Sequence, residues 1–327
     1  MSAQPIVLSE ISSFHIGGGI RRLEGQLKRE VKVSTNGEAR MVDLNGGYHV
    51  GQLYAQHFRQ AAPKYKLPVL FWHGGAMSGV TWETTPDGRP GWQSFFLRQG
   101  YDVVVSDAVE RGRASWAPFP EIYETSPLFR TQEDAWTLFR MGLMEGYHED
   151  PAQRHGYEGQ RFPLEAFDKL SAQFVARWTT NNERTLAAYE KLLDRVGPAI
   201  IIAHSQGGWF AQQIAAQKPE HVAAIVAIEP AGAPTLNGVE FEKASRVPHL
   251  YVWGDYCDDH AAWKGYKAKV LQHCELMRDR GGRIFQLDLP KEGIRGNSHM
   301  PMMDDNSDHV ATLVADWLLK EAKLISE

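Results

Sequence analysis

Five short runs of almost uninterrupted apolar residues alternate with stretches of helical periodicity, and this alternation restricts the possible folds more than any other feature. The runs are 68–72, 101–106, 199–203, 222–228 and 247–253. Strands that are apolar at consecutive positions are buried on both faces, as in a parallel sheet covered by helices. The pattern therefore predicts an α/β fold with a mostly parallel central sheet and helices on both faces.

The first 65 or so residues follow a different pattern, in which β-rich segments alternate with turn signals. These segments are 13–16, 30–34 and 48–54. Asn36-Gly37 and Asn45-Gly46 lie between them, and this dipeptide is typical of tight hairpin turns with positive φ. We expect antiparallel strands at the start of the sheet.

A long segment, about 115–182, separates the second buried run from the third. It carries large apolar side chains at roughly helical spacings, namely Trp136, Leu138, Phe139, Met141, Phe167, Leu170, Phe174 and Trp178. We expect a helical lid insertion that covers the ends of the strands, with an ordinary surface excursion as the alternative. No repeat or linker marks a second domain, so residues 1–327 are expected to form one domain.

Composition narrows the classes of partner. The formal net charge of −5 comes without the clustered basic residues that nucleic acid requires, so a small-molecule partner is expected and a homodimer stays open. No run of eighteen apolar residues predicts a membrane span, and the start of the chain lacks the features of a signal peptide. We expect a soluble chain, cytoplasmic or secreted after loss of a leader. Cys257 and Cys274 are expected to be isolated thiols, although a bridge between them stays open.

The strongest signal for chemistry is Ser205, which follows the apolar run 199–203 and precedes the helical stretch 209–217. A nucleophile elbow needs this context, because its serine adopts a strained turn that lifts Oγ out of the sheet and tolerates only small neighbours. Ala203 stands where glycine is usual, and alanine is also small. We predict that Ser205 is the nucleophile, against a chance serine in a turn.

Two backbone N–H groups are candidates for an oxyanion hole. The N–H of Gln206, at the start of the helix, would point at the oxyanion formed when Ser205 attacks a carbonyl. The segment His73-Gly74-Gly75-Ala76 follows the first buried run and supplies the second donor. Gly75 is the predicted donor and Ala76 is the alternative.

A serine hydroxyl needs a base, and thirteen histidines compete for that role. His73 and His204 are expected to orient backbone or to pack, and His309 begins an amphipathic terminal helix. His299 lies in the turn-rich loop 296–300. In folds that carry a nucleophile elbow, the serine, the acid and the histidine follow one another along the chain, and a late histidine on such a loop is where the base is expected. We predict His299.

The residues alone leave the acid open. Asp255, Asp258 and Asp259 follow the run 247–253, a position that many such sheets use, and spacing slightly favours them. Glu229 ends the preceding apolar run, where burial without a partner would be costly and a histidine partner would offset the cost.

Several blocks of sequence, spread over most of the chain, carry a family resemblance. They are 73–92, Arg111-Gly112-Arg113, His204-Ser205-Gln206, Ile228-Glu229-Pro230 and Gly296-Asn297-Ser298-His299-Met300. They resemble the esterase 713 group of microbial serine esterases, which implies an α/β-hydrolase fold with a helical lid and a triad whose acid maps onto Glu229. The known member carries two adjacent cysteines where this chain has Gly75 and Ala76, so the oxyanion donors here come from a plain glycine-containing loop.

These features predict a carboxylic ester hydrolase that works through an acyl-enzyme on Ser205, without a metal or an organic cofactor. Lactone, thioester and amide hydrolysis use the same residues. A non-catalytic ligand-binding protein on the same fold is an alternative of another class, which the intact set of Ser205, His299 and an acid disfavours. Aromatic side chains are expected either to line an apolar pocket or to pack the insertion onto the body, namely Trp116, Trp136, Phe139, Trp178 and Trp209.

Overall fold

The computed structural model describes residues 5–123 and 125–320. Ten strands occur in this part of the chain: β1 Leu8–Leu23, β2 Arg29–Lys32, β3 Ala39–Val42, β4 Gly46–Gln60, β5 Val69–Trp72, β6 Val103–Asp107, β7 Ala199–His204, β8 Val222–Ile228, β9 His249–Trp253 and β10 Ile284–Asp288. Eight of them form one sheet in the order β1-β4-β6-β5-β7-β8-β9-β10. From β6 to β10 in this order, the strands are all parallel to one another, as the apolar runs predict.

The N-terminal strands open the sheet in antiparallel fashion, which confirms the prediction from the turn signals. β1 pairs with β4 along almost its whole length, and β4 pairs antiparallel with β6. The segment 30–34, however, belongs to a separate hairpin formed by β2 and β3. All four residues of β2 are exposed, so this hairpin has no buried face with which to join the core.

Eight α-helices lie within the described residues: α1 Trp92–Gln99, α2 Gln132–Leu138, α3 Phe167–Ser171, α4 Asn182–Val196, α5 Gln206–Gln217, α6 Gly238–Ala244, α7 Ala261–Arg278 and α8 Ser307–Lys320. They cover the sheet on both sides. Val69 and Phe71 of β5 pack into the core on the side of α1 and α8, whereas Leu70 and Trp72 pack on the side of α4 and α5. Consecutive residues of one strand are therefore buried on opposite faces, which explains the uninterrupted apolar runs.

The segment 115–182 is less helical than its apolar spacing predicts. It contains only the short helices α2 and α3, some single 3-10 turns and irregular chain among its described residues. The segment contains five prolines and four glycines, which prevent long helices. Proline has no backbone N–H to donate a hydrogen bond, and glycine destabilises a helix through its conformational freedom. The large side chains at Trp136, Phe139, Phe167 and Leu170 are buried in the core beside α1 and α8, so they pack the insertion onto the body.

The described helices and the two cysteines agree with the expectations of no membrane span and isolated thiols. Among the described residues, no helix combines the length and the apolar character needed to cross a bilayer. Cys257 and Cys274 are both buried free thiols, so no bridge joins them.

Candidate active site

Ser205 stands in a strained turn between β7 and α5. Its φ of 52° and ψ of −116° lie in a region that non-glycine residues rarely adopt, and such strain concentrates at functional sites. The Ser205 N–H donates to the carbonyl of Ile228 at 2.9 Å, and the Ser205 carbonyl accepts from the N–H of Ala231 at 3.1 Å. The turn is therefore fixed to the end of the neighbouring strand β8.

Gly207 and Gly208, the second and third residues after Ser205, must be small because other parts of the chain lie against them. A side-chain carbon on Gly207 would be 2.7 Å from the carbonyl oxygen of His73 and 2.8 Å from that of Trp72. A side-chain carbon on Gly208 would be 2.8 Å from Cβ of Pro230. Any larger residue at either position would push α5 away from the sheet. This steric restriction explains why small residues follow the serine of a nucleophile elbow.

His299 and Glu229 meet at the same edge of the sheet. His299 Nδ1 lies 2.7 Å from Glu229 Oε2, and both side chains are almost completely buried. Since a carboxylate only accepts, Nδ1 carries the proton and donates, which leaves the Nε2 lone pair free to accept one. Glu229 has a φ of 45°, so the acid, like Ser205, sits on strained backbone at the end of a strand. This arrangement is that of a histidine prepared to act as a base.

The aspartates that competed for this role have other surroundings. Asp255 accepts hydrogen bonds from the backbone N–H of Gly296 and of Tyr256, each at 3.0 Å. Asp258 and Asp259 are exposed to solvent. Asp255 therefore supports the loop that carries His299, whereas the imidazole itself is held by Glu229.

Arg140, from the insertion, forms a buried ion pair with Glu229. Its Nη2 donates to Glu229 Oε1 at 2.5 Å and its Nε donates to the carbonyl of Asp255 at 2.8 Å, while the side chains of Arg140 and Glu229 have no solvent exposure. Burial alone would raise the pKa of Glu229, but the charge of Arg140 and the hydrogen bond from His299 outweigh it and lower that pKa to about 2. Burial lowers the pKa of His299 to about 4 in spite of Glu229. At neutral pH the pair is therefore a carboxylate and a neutral imidazole.

The loop that carries His299 is held from several sides. His204 Nε2 donates to the His299 carbonyl at 2.9 Å. The buried carboxylate of Asp304 accepts from the Ser298 N–H at 2.8 Å and from Ser298 Oγ at 2.7 Å. The ring of Trp263 lies 4.0 Å from the imidazole, centroid to centroid. These contacts fix both the position and the tilt of the ring.

The candidate oxyanion loop packs directly on the elbow. A side-chain carbon on Gly74 would be 3.0 Å from Ser205 Cβ, and one on Gly75 would be 3.2 Å from Gln206 Oε1. Gln206 is the first residue of α5, where backbone N–H groups have no partner inside the helix. Ala76 adopts a φ of 60°, which adds a third strained residue to this region. The structure thus brings Gly75 and Gln206 together beside Ser205.

The remaining histidines fall where the sequence suggested. His73 is buried, and its Nδ1 donates to the Gly74 carbonyl while its Nε2 accepts from the Ala108 N–H at 3.0 Å, so it orients backbone. His309 is exposed on α8. Within the part of the chain that the structure describes, no three His, Cys, Asp or Glu side chains group as metal ligands would.

Sequence reasoning missed Arg140, Trp263 and Asp304, which all act through contacts between distant segments. Each contact depends on the tertiary fold, so no local motif announces it. One signal was available for Arg140, because a lone arginine among the apolar residues of 138–141 is costly to bury without a carboxylate partner.

Comparisons with known proteins agree with this architecture. Residues 68–254 match the family model described as alpha/beta hydrolase fold. A solved structure of a novel bacterial esterase superposes with a TM-score of 0.81 at 29% identity and covers 98% of each chain. A probable secreted lipase, phiG, from Fungal sp. (strain ATCC 74256) is 27% identical over 85% of this chain and 88% of its own. Lipase LipV from Mycobacterium tuberculosis is 37% identical over 29% of this chain and 36% of its own. Since the family model matches more than half of the sequence, the chain belongs to the α/β-hydrolase fold family.

Proposed function

We propose that this protein is a carboxylic ester hydrolase that forms an acyl-enzyme on Ser205. The observation that carries the proposal is the buried hydrogen bond from His299 Nδ1 to Glu229 at 2.7 Å, next to a strained serine at the end of β7. A histidine held in this tautomer is the base that a serine nucleophile requires.

The first half of the reaction acylates the enzyme. His299 Nε2 takes the proton of the Ser205 hydroxyl as Oγ bonds to the ester carbonyl carbon, and the backbone N–H groups of Gly75 and Gln206 donate to the resulting oxyanion. The carbon–oxygen bond to the alcohol then breaks, and His299 returns its proton to the departing alcohol. Glu229 holds the imidazole and stabilises its protonated form throughout.

The second half releases the acid. A water molecule gives its proton to His299 Nε2 as its oxygen attacks the acyl carbon, and the same two N–H groups hold the second oxyanion. Breakage of the bond to Oγ returns the proton to Ser205 and frees the carboxylic acid. The cycle needs only water as a second substrate.

The choice of an ester over a thioester, lactone or amide rests on the relatives. The solved structure is described as an esterase, and the two curated relatives are described as lipases. Because lipases and esterases cleave carboxylic esters, this bond is the one that their likeness supports.

We further propose that residues 115–182 cover the site as a lid within one domain spanning 1–327. The N–H of Val175 donates to the carbonyl of Ala76 at 2.9 Å, and Arg140 reaches Glu229, so the insertion contacts both sides of the site. Such a cover would exclude water from the oxyanion and strengthen its hydrogen bonds.

The experiment that tests the proposal is hydrolysis of 4-nitrophenyl esters from acetate to octanoate. The wild type should turn these esters over, and Ser205→Ala should reduce kcat by roughly 10⁴-fold or more. Glu229→Gln should lower kcat far more than Asp255→Asn, which serves as the matched control. Well-folded wild type that hydrolyses none of these esters would refute the ester proposal.

A further inference from the structure

A guanidinium group lies against the candidate oxyanion loop. A side-chain carbon on Gly75 would be 2.9 Å from Arg177 Nη1 and 3.6 Å from Arg177 Cζ, as well as 3.2 Å from Gln206 Oε1. The absence of a side chain at Gly75 therefore lets the Arg177 guanidinium approach the two residues that we propose as oxyanion donors. It therefore lies beside Gly75, the residue that we propose as one of the two oxyanion donors.

Backbone contacts fix this arginine in place. The N–H of Val175 donates to the Ala76 carbonyl at 2.9 Å, which ties the segment to the oxyanion loop. Arg177 and Leu128 exchange two backbone hydrogen bonds, at 3.0 Å and 2.8 Å, in an isolated antiparallel bridge. The guanidinium is thus presented to the site by two neighbouring chain segments.

The Arg177 guanidinium has no anionic partner among residues 5–123 and 125–320. Within the described residues its guanidinium makes neither a hydrogen bond nor an ion pair, although other arginines of the insertion do. Arg130, for example, pairs with Asp134, and Arg154 pairs with Asp168. A guanidinium that only held the insertion to the body would be expected to donate to a carbonyl or carboxylate there.

Two further arginines lie near enough to act on Arg177 by charge. Arg111 is buried and donates from Nη1 to the Ala176 carbonyl at 3.0 Å. Burial, and after it the charge of Arg177, lowers the pKa of Arg111 to about 9. Burial lowers the pKa of Arg130 as well, and the charge of Arg177 adds to that shift while Asp134 opposes it.

Within the part of the chain that the structure describes, two carboxylates, Glu110 and Asp134, act on these three arginines, so one positive charge is left over. Glu110 is buried beside Arg111, and its oxygens also accept hydrogen bonds from Tyr123 and Asn181. Asp134 keeps 59% of its side chain exposed where it pairs with Arg130. Like charges brought together in a partly buried site are unfavourable unless an anion joins them. This part of the site is therefore cationic in a chain whose formal net charge is −5.

We propose that Arg177 binds a carboxylate carried by the substrate, so that the preferred esters bear a negative charge a few bonds from the scissile carbonyl. A planar guanidinium fork matches a carboxylate in a bidentate manner, which makes arginine well suited to this task. Monoesters of short dicarboxylic acids have the required chemistry. The inference rests on the proposed ester hydrolysis and names its substrate class.

The test compares matched pairs of esters by pH-stat titration. Monoethyl succinate and ethyl butyrate differ by a carboxylate in place of a methyl group on the acyl side, and acetoxyacetate and ethyl acetate differ in the same way on the alcohol side. The wild type should show a higher kcat/KM for the anionic member of at least one pair. In Arg177→Gln the ratio of anionic to neutral kcat/KM should fall by about 10- to 100-fold, as expected for a lost charge-assisted hydrogen bond. Arg98→Gln, at an exposed position near the end of α1, should keep the wild-type ratio.

Other outcomes separate this inference from the proposed function. Equal kcat/KM for the two members of both pairs in the wild type would overturn the carboxylate site while ester hydrolysis stands. A parallel fall for both members in Arg177→Gln, with an unchanged ratio, would overturn it too and would make Arg177 a donor to the oxyanion. If Arg177→Gln fails to fold, Arg177→Lys should retain part of the preference, and a full loss of preference in that folded variant would count against the site. Absence of hydrolysis for all four esters and for the 4-nitrophenyl esters would instead refute the proposed function, whereas hydrolysis of the 4-nitrophenyl esters without a preference for anionic esters would overturn only the carboxylate site.

Discussion

Replacement of Arg140 by methionine isolates the buried ion pair that supports the proposed acid. Methionine keeps an unbranched side chain among Trp263 and its neighbours but removes the charge from Glu229. Among the described residues, Glu229 would then keep as partners the Gly254 N–H at 2.6 Å, His299, and the weakly donating Cys257 thiol at 3.9 Å.

The magnitude follows from the electrostatics of the pair. The pKa of Glu229 lies at about 2 instead of its ordinary 4.5, and at about 1.4 kcal/mol for each pH unit this corresponds to about 3 kcal/mol of stability. Because the pKa in the fold is lowered, this stability is present above pH 4.5 and is lost as the pH falls towards 2. Removal of one partner of a buried pair typically costs about 3–5 kcal/mol. We therefore expect Arg140→Met to lower the free energy of unfolding at pH 8 by about 3–5 kcal/mol.

The same change should move the pH dependence of activity. The charge of Arg140 helps to keep His299 neutral, so its removal lets the pair of His299 and Glu229 take up a proton at higher pH, whichever residue holds it. The acidic limb of kcat/KM should shift upwards, and kcat should fall by roughly 10- to 100-fold as the imidazole loses its fixed position.

Urea unfolding and pH-rate profiles of the wild type, Arg140→Met and Arg140→Lys provide the assay. Arg59→Met is the control, since it breaks an exposed ion pair with Glu10 and should cost at most about 1 kcal/mol. Arg140→Lys keeps the positive charge, so the acidic limb of its pH-rate profile should lie close to that of the wild type. Its free energy of unfolding should stay lower than that of the wild type, because one ammonium group cannot reach both Glu229 and the Asp255 carbonyl. An Arg140→Met enzyme with the stability and acidic limb of the wild type would refute this reasoning.

Three further predictions concern packing, the base loop and acid. Gly207→Ala should lower the free energy of unfolding by about 1–3 kcal/mol and abolish most of the activity, because the added methyl group would contact backbone carbonyl oxygens. A melting curve and an ester hydrolysis assay check this, and Gly238→Ala, at a position with open space around it, is the control. Asp304→Asn should lower kcat by a larger factor than it raises KM, because Ser298 loses an acceptor that fixes the loop carrying His299. An unchanged kcat would show that Asp304 is not needed to position this loop. Unfolding at pH 5 should take up about four protons, visible as a steep fall in melting temperature between pH 6.5 and pH 4, because burial keeps several histidines neutral in the fold. Burial lowers the pKa of His73, His273 and His299 to about 4, that of His249 to about 3 and that of His204 well below its ordinary value. Burial raises the pKa of Asp304 to about 7, so this carboxyl group releases one proton on unfolding and reduces the uptake by five histidines to about four.

The sheet was predictable because its strands are buried on both faces. The runs at 199–203 and 222–228 became β7 and β8 with shifts of at most one residue, since nothing but a parallel sheet buries such segments. The small hairpin of β2 and β3 was assigned to the wrong sheet, because an alternating exposed strand carries no information about its partner. The insertion was expected to be more helical than it is, because apolar side chains at helical spacings also fill a core from irregular chain.

Some residues of the candidate site could be predicted from the sequence, and others required the structure. Ser205 could be predicted as the nucleophile because an elbow is a local motif, and His299 as the base because the order of residues along this fold constrains its position. The acid was open on spacing alone, since only the folded chain places Glu229 against the imidazole and turns Asp255 towards backbone. Arg140 and Arg177 lie in the insertion, and no local pattern relates Arg140 to Glu229, 89 positions away, or Arg177 to Gly75, so their contacts required the structure.

The measurement that tests the central claim most directly is labelling of the nucleophile with an organophosphate ester, followed by peptide mass spectrometry. Such a reagent phosphorylates an activated serine and stops there, because the adduct resembles the tetrahedral intermediate. We expect a single adduct on Ser205, loss of ester hydrolysis in proportion to labelling, and slow labelling in Glu229→Gln. An enzyme that hydrolyses esters at the wild-type rate while Ser205 is fully labelled, or that carries its adduct on another residue, would contradict the account.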